Sequence, residues 1–254
     1  MTRIIERIIP VLLCGGEGKR LRPLSRASCP KPFIRFFKCK SLFEQSWARL
    51  VRDPMIVTRH DLLPLVEAQA LGRYDVISEP MAKNTAPAII KTCLETPYPE
   101  QFHLFMPTDH DIVDIHPLWD AINATVLGDD MIHLFGIHPD APSSRYGYIG
   151  GSPLRFFEKP SLQKARDYIQ QGFLWNSGIV LAKPRAILEA ARIHVPEMLS
   201  HVENNRYDLI EPLSFDYAIL EKSETIVSIP VSLKWRDVGT LRSYLNYRFG
   251  KNHE

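Results

Sequence analysis

The chain has 254 residues, a net charge of +2, 45% hydrophobic and 24% charged side chains, which suits one large α/β domain with a buried core. So small a net charge excludes a global field that would draw nucleic acid or an anionic membrane, so cations matter only where they cluster. Cys14, Cys29, Cys39 and Cys93 form neither a C-x-x-C pair nor a zinc spacing, and they read as idle thiols of a reducing compartment.

Residues 8–14 form a short apolar run that predicts a buried first strand. Glu6-Arg7 splits the apolar stretch before it, which argues against a secretory signal, and no uncharged run reaches membrane-spanning length. A cytoplasmic protein without a membrane segment is expected. The strand stops at Gly15-Gly16, with Gly18 close behind and the cations Arg20, Arg22, Arg26 and Lys31 following. Glycines let backbone N–H groups turn sharply and approach a ligand, and fixed cations suit a polyphosphate. Two common phosphate loops fail on spacing. A P-loop needs Gly-Lys-Ser/Thr, but Gly18-Lys19 is followed by Arg20, and the dinucleotide fingerprint would need a glycine at Leu21.

Further strands are predicted at 55–58, 76–78, 103–106, 131–136, 156–158, 178–182 and 225–229. Helices are predicted at 42–51, 62–71, 86–94, 118–127, 162–171, 185–193 and 216–220. The alternation implies a Rossmann-like, doubly wound, mostly parallel sheet with ligands at the carboxyl ends of its strands. Glu79 closes one strand, and a carboxylate there can accept from two adjacent donors together. Asn84 or Thr85 can cap the next helix, with Pro87 in its first turn. Phe105-Met106-Pro107-Thr108-Asp109-His110 ends a strand in a carboxylate, and magnesium takes only one or two carboxylates beside phosphate and water. Asp111 and Asp114 read as capping or solvated acids, and His110 as a structural hydrogen-bonder.

Later in the chain, Gly147 between Tyr146 and Tyr148 suits close backbone approach to a ligand with ring faces as walls. Glu158 and Lys159 would face opposite sides of a regular strand, but a bend could aim both at one ligand. Asn176 offers a donor and an acceptor, which fits vicinal hydroxyls. Asp216 reads as a cap or an orienter of a basic residue, and Asp237 sits in Trp235-Arg236-Asp237-Val238-Gly239.

G-G-x-G-x-R-L-x-P-L-S-R followed by P-K-P-F resembles the signature loop of the sugar-1-phosphate nucleotidyltransferases. Within them E-P-x-x-x-N-T-A-P-A is most similar to the mannose-1-phosphate guanylyltransferase branch. G-I-x-P, Y-G-Y-I, F-E-K-P, W-N-S-G, S-x-D-Y…E-K and W-x-D-V-G follow in the family's order, so the resemblance covers residues 8 to 245. It implies one glycosyltransferase-A-like catalytic domain over 1–254, with a nucleotide-binding part at about 1–135 and a sugar-phosphate-binding part at about 136–245. No β-helical or isomerase domain is expected. The implied substrates are GTP and mannose 1-phosphate, the cofactor is Mg2+, and homo-oligomerisation stays open. The resemblance assigns Arg20, Lys31, Asp109 and Asp237 to catalysis, the two aspartates as magnesium ligands. Nucleotide contacts fall on Leu13, Gly15, Gly16, Gly18, Lys19, Glu79, Asn84 and Thr85. Gly147, Glu158, Lys159 and Asn176 are the sugar-phosphate contacts.

Lys19, Arg22 and Arg145 depart from the family pattern. They leave room for a catalytically silent sugar-nucleotide-binding subunit, which the paired aspartates and lysines oppose. A uridylyl- or thymidylyltransferase acting on glucose 1-phosphate is opposed by Glu79 and the N-T-A-P block.

Overall fold

The computed structural model describes residues 4–16, 21, 24–35 and 40–237, with Ile4, Arg236 and Asp237 described by their backbone alone. The expected positions Gly18, Lys19 and Arg20, with Arg22 and Cys39, lie outside the described residues. Strands β1 (Ile9–Leu13), β2 (Met55–Arg59), β3 (Asp75–Glu79), β4 (His103–Pro107), β6 (Ile132–Ile137), β9 (Leu174–Ala182) and β10 (Ile226–Pro230) form the central sheet. Its order is β10-β6-β9-β4-β1-β2-β3. Every neighbouring pair in it is parallel except that β9 runs antiparallel to both β4 and β6. The hairpin of β7 (Tyr148–Gly150) and β8 (Arg155–Phe157) is attached to β9, and β5 (His110–Ile112) pairs with β11 (Trp235–Asp237) in a separate two-stranded ribbon.

The central strands read as unbroken apolar runs because both faces of the sheet are covered. Alternation sends Ile9, Val11, Met55, Val57 and Phe105 to one face, where they pack with α3 (Thr85–Glu95), α6 (Pro184–His194) and α7 (Pro196–Glu203). Leu12, Ile56, Leu104 and Met106 go to the other, under α1 (Leu42–Ala48), α2 (Leu63–Gln69), α4 (His116–Ala124) and α5 (Leu162–Gln170). The ninth strand begins four residues before its expected start at Gly178, because the glycine sits inside it with φ +77. Leu134 pairs with Val180, yet Gly136 pairs with Asn176, so the bulged strand breaks the alternation by which a sequence reveals a strand. Helix α7, not expected, follows α6 after the single non-helical residue Val195. No helix among the described residues is long and apolar enough to cross a membrane.

Candidate active site

Because β9 runs against its neighbours, its start lies on the same rim as the carboxyl ends of β4, β1, β2 and β3. Along that rim stand Asn176, Asp109, Gly15, Arg59 and Glu79, one per strand. Four interstrand steps separate the ends, roughly 19 Å in all.

At the β3 end Glu79 is only 3% exposed, and its Oε1 is sealed from solvent without a hydrogen-bond partner. Burial pushes its carboxyl up to about 8, opposed by Tyr207, Lys91 and Arg59. The Tyr207 hydroxyl lies beside it and works to lower that value, but neither group makes a hydrogen bond of ordinary geometry. The other oxygen, Oε2, points over the sheet edge to Gly15, 3.9 Å from where a Cβ would stand. Glu79 is therefore neutral around pH 7 until donors reach it, whereas the sequence reading took it as ionised.

Neither Gly15 nor Gly16 has a left-handed φ, and a Cβ on Gly16 would meet no atom within 4 Å. What glycine supplies at these two positions is close approach, not the expected sharp turn. Leu13 contributes its carbonyl, which accepts from Thr108 Oγ1 at 2.8 Å. Asn84, at φ +73, caps α3 with its Oδ1 accepting from Thr85 N–H at 2.8 Å. The Thr85 hydroxyl accepts from Phe215 N–H at 2.9 Å, so it tethers the helix start to the 213–217 segment.

Sequence reasoning missed Arg59. It closes β2 between the glycine loop and Glu79, nearly buried, and its guanidinium is held by Asp61 at 2.8 and 2.7 Å. The same group donates to Ala27 O at 3.3 Å, inside a turn closed by reciprocal Arg26–Cys29 backbone bonds. A strand ending Thr-Arg with an aspartate two residues on was the available signal.

That clamped turn leads into Pro30-Lys31-Pro32-Phe33, a single 3-10 turn. Phe33 anchors it against Phe43, ring centroids 5.1 Å apart, and two prolines stiffen it. Lys31, 3% exposed, donates to Asp109 Oδ2 at 3.1 Å. Asp109 keeps 43% of its side chain accessible. Burial would raise its carboxyl, but His110, Lys31 and the Lys31 hydrogen bond outweigh it and hold it at about 2.

His110 Nε2 is 3.6 Å from Asp109 Oδ1, while its Nδ1 is buried without a partner, so the expected structural hydrogen bond is not formed. Asp237 stands across the ribbon, its backbone paired with His110, one residue from Asp109. An ionised, accessible carboxylate with a second aspartate brought beside it by strand register fits a hard divalent cation. No cluster of three metal-binding side chains occurs among the described residues. Asp111 is not a solvated acid: it is buried and takes a 3.3 Å bond from Arg49 at the end of α1. Asp114 accepts from His116 N–H at 2.9 Å, as a capping acid does.

The far end assembles Gly147, Glu158, Lys159 and Asn176 as expected, and adds Asp216. The strand ends at Phe157, and Lys159 takes φ +43, so the bend exists and turns its ammonium onto the Glu158 carboxylate. A Cβ on Gly147 would stand 2.9 Å from Glu158 Oε2 and 2.6 Å from Phe156, so only glycine fits there. Asn176 Oδ1 accepts from Gly178 N–H at 3.1 Å and its Nδ2 donates to Asp216 Oδ1 at 3.1 Å. Burial and Glu158 push Asp216 up to about 6 against the pull of Lys159. Burial works to lower Lys159, but Glu158 and Asp216 overcome it and raise it.

Tyr148 cannot be one of the two expected tyrosine walls. Tyr148 is fully buried, its hydroxyl donating to Ser143 O and accepting from Ser143 N–H. Tyr146 packs edge-on against Trp175 and Trp235, centroids 4.8 and 4.9 Å away, and Trp235 meets His110 at 5.1 Å. An aromatic row thus runs from Trp175, beside Asn176, to His110, beside Asp109.

The nucleotidyl transferase family model matches residues 9–250. The chain is 30% identical to the alginate biosynthesis protein AlgA of Pseudomonas syringae pv. tomato, over 91% of this chain and 56% of that protein. It is 31% identical to the mannose-1-phosphate guanylyltransferase of Escherichia coli, over 92% of this chain and 58% of that protein. The chain therefore spans little more than half the length of these relatives. Its fold matches the crystal structure of a mannose-1-phosphate geranyltransferase from Thermus thermophilus, with a TM-score of 0.83 and 28% identity, over 98% of this chain and 81% of that one. With that family model matching nearly its whole length, the chain belongs to the nucleotidyl transferase family.

Proposed function

We propose that the chain transfers GMP from GTP to α-D-mannose 1-phosphate, giving GDP-mannose and pyrophosphate. One observation carries the reading: the order of groups along the rim matches the order of groups in the product. Glu79, an acceptor without a partner, lies where a base with two adjacent donors would be read. Gly15 and Gly16 border the phosphates, Lys31 and Asp109 occupy the centre, and Glu158, Lys159 and Asn176 meet the sugar phosphate.

A phosphate oxygen of the sugar phosphate attacks the α-phosphorus in line. The new P–O bond forms as the bond to pyrophosphate breaks, and pyrophosphate leaves with that electron pair. No protein nucleophile is involved; the Cys14 thiol, beside the glycine loop, is buried and pushed up to about 12. Lys31 exchanges part of its hold on Asp109 for the α-phosphate, where charge builds in the transition state. Lys159 leaves Glu158 for the incoming phosphate, freeing that carboxylate for sugar hydroxyls. Arg20 and the amides of Gly15, Gly16 and Gly18, with Lys19, are assigned to the triphosphate. Asp109 and Asp237 would hold Mg2+, which when bound offsets the charge of the triphosphate.

Relatives named for mannose-1-phosphate guanylyltransferase, alginate and xanthan biosynthesis support this substrate pair and a role in making polysaccharide. The test is pyrophosphate release with the four nucleoside triphosphates crossed against mannose, glucose and N-acetylglucosamine 1-phosphates. The reading requires GTP with mannose 1-phosphate to lead; UTP or dTTP with glucose 1-phosphate in first place would overturn it.

A further inference from the structure

Residues Asp216–Leu220 form a π-helical turn, closed by a Glu221 N–H to Asp216 O bond of 3.0 Å. In an α-helix two residues five apart point about 140° away from each other. The wider turn stacks them, so both Asp216 and Glu221 reach the sugar end of the cleft. Glu221 Oε1 accepts from Glu158 N–H at 2.8 Å, and Asp216 Oδ1 accepts from Asn176 Nδ2 at 3.1 Å. From the residue just before the turn, Phe215 N–H donates to Thr85 at the base of the nucleotide end.

The bonds around Asn176 fix its amide from both sides. Gly178 N–H can only donate, so it takes the carbonyl oxygen, and Nδ2 must face the carboxylate. What Asn176 turns toward a ligand is then chiefly an N–H. Acceptors for the sugar's hydroxyl protons come instead from carboxylates. Glu158 is released when Lys159 takes the phosphate, and Asp216 is half-buried within electrostatic reach of both. π-turns are uncommon and recur at functional sites.

We propose that Asp216 is a specificity-determining residue of the sugar site, which orients Asn176 and, with Glu158, presents the paired carboxylate acceptors that select a vicinal diol on a hexose 1-phosphate. The proposal rests on the nucleotidyltransferase reading above and deepens it. Occupancy by a hexose shields Asp216 further, so its ionised form depends on the hydroxyl donors that a deoxy sugar lacks.

The experiment compares wild type with Asp216→Asn, which keeps the shape and the bond from Asn176, and with Asp216→Ala, which keeps neither. Steady-state kinetics uses whichever of mannose, glucose or N-acetylglucosamine 1-phosphate the wild type turns over best, together with its 2-, 3- and 4-deoxy analogues. Asp216→Asn is expected to raise the KM for that sugar phosphate about tenfold, the scale of a lost hydrogen bond to a charged group. It should also flatten the discrimination against one or two deoxy analogues, while the KM for the nucleoside triphosphate stays within about twofold. A structural role would lower kcat and disturb both substrates alike. Equal effects on both, or an unchanged sugar KM with unchanged deoxy discrimination in the Asn variant, overturns the proposal. Wild type preferring glucose 1-phosphate would overturn the substrate reading and leave the Asp216 outcomes readable. A wild type that binds none of these phosphates in calorimetry overturns both.

Discussion

The two ends of the rim hold their polar groups in opposite states. At the Asn176 end the polar groups are paired with one another: Lys159 on Glu158, Asn176 between Gly178 and Asp216, Glu158 N–H on Glu221. The ligand there replaces bonds that exist, and the geometry is set in advance. At the base end Glu79 is buried with an unpaired oxygen and a carboxyl pushed up to about 8. Burying a carboxyl without hydrogen-bond partners lowers stability, so this end holds an unmet demand that only donors can fill. The sugar end is organised by its own contacts, and the base end by a deficit. Between them lies the Lys31–Asp109 pair, where the proposed reading brings the phosphates of both substrates.

The largest effect is expected at that shared centre, and it calibrates the other variants. Asp109→Asn and Asp237→Asn should each lower kcat by on the order of 10²–10³-fold with every accepted substrate pair, with the fold retained by circular dichroism. A variant retaining near-native turnover at saturating magnesium removes that residue from the centre. Asp109 also carries a pH signature. Its folded value of about 2 lies below the ordinary 3.8, so its contribution to stability is present above about pH 4 and lost as pH falls toward 2.

Glu79 provides the sharpest contrast, because its folded value lies above its unfolded one. The folded state keeps a proton that the unfolded carboxyl releases near 4.5, so this contribution falls as pH rises from about 4.5 to about 8. Glu79→Gln removes that decline and is expected to raise the melting temperature at pH 8 by several degrees in the absence of nucleotide. The same substitution should lower kcat/KM for GTP on the order of tenfold or more, and for ITP, which lacks the 2-amino group, much less. Gain of stability with loss of GTP use marks a residue kept for a ligand. An unchanged GTP/ITP ratio would show that Glu79 does not read the 2-amino group.

The two lysines should separate in kinetics. Lys31 is buried against Asp109, whereas Lys159 is 53% exposed and turned onto Glu158 by its own backbone. Lys159→Ala is expected to raise the KM for the sugar phosphate about tenfold with a smaller change in kcat, and Lys31→Ala to act mainly on kcat. A Lys159 variant with unchanged sugar-phosphate KM and a collapsed kcat would reverse the division.

Much of this was legible in the sequence, and the reasons differ by residue. Lys31 could be read because prolines and Phe33 fix its turn locally, and Asp109 because it ends an apolar strand. Glu158 and Lys159 needed a bend that the dipeptide alone does not show; the left-handed φ of Lys159 supplies it. What could not be read depends on long-range pairing. Asp111 looks like a surface acid until Arg49, 62 residues away, closes on it, and Arg59 gains meaning only when Ala27 folds over it. Asp216 is explained by Asn176, 40 residues earlier, and by a π-turn that no periodicity announces. Burial is likewise collective, so the raised carboxyl of Glu79 could not be read although its place at the end of β3 was foreseen.

The smallest effect concerns the two tyrosines, where the sequence treated Tyr146 and Tyr148 alike and the fold separates them. Tyr148 opens β7, faces the core beside Tyr168, and spends its hydroxyl on both backbone groups of Ser143. Tyr146 lies just outside the strand, in the aromatic row between Trp175 and Trp235. Removing the Tyr148 hydroxyl leaves a Ser143 N–H and C=O to be met by water at a half-buried site, a loss of about 1 kcal/mol. Tyr148→Phe should therefore lower the melting temperature by about 2–4 °C and leave the sugar-phosphate KM within about twofold. Tyr146→Ala takes a wall from the cleft and is expected to raise that KM severalfold. The pair is decisive because both changes fall within one short segment: if Tyr148→Phe shifts the sugar-phosphate KM more than Tyr146→Ala does, the hydroxyl reaches the ligand, and the sugar end is wider than the aromatic row allows.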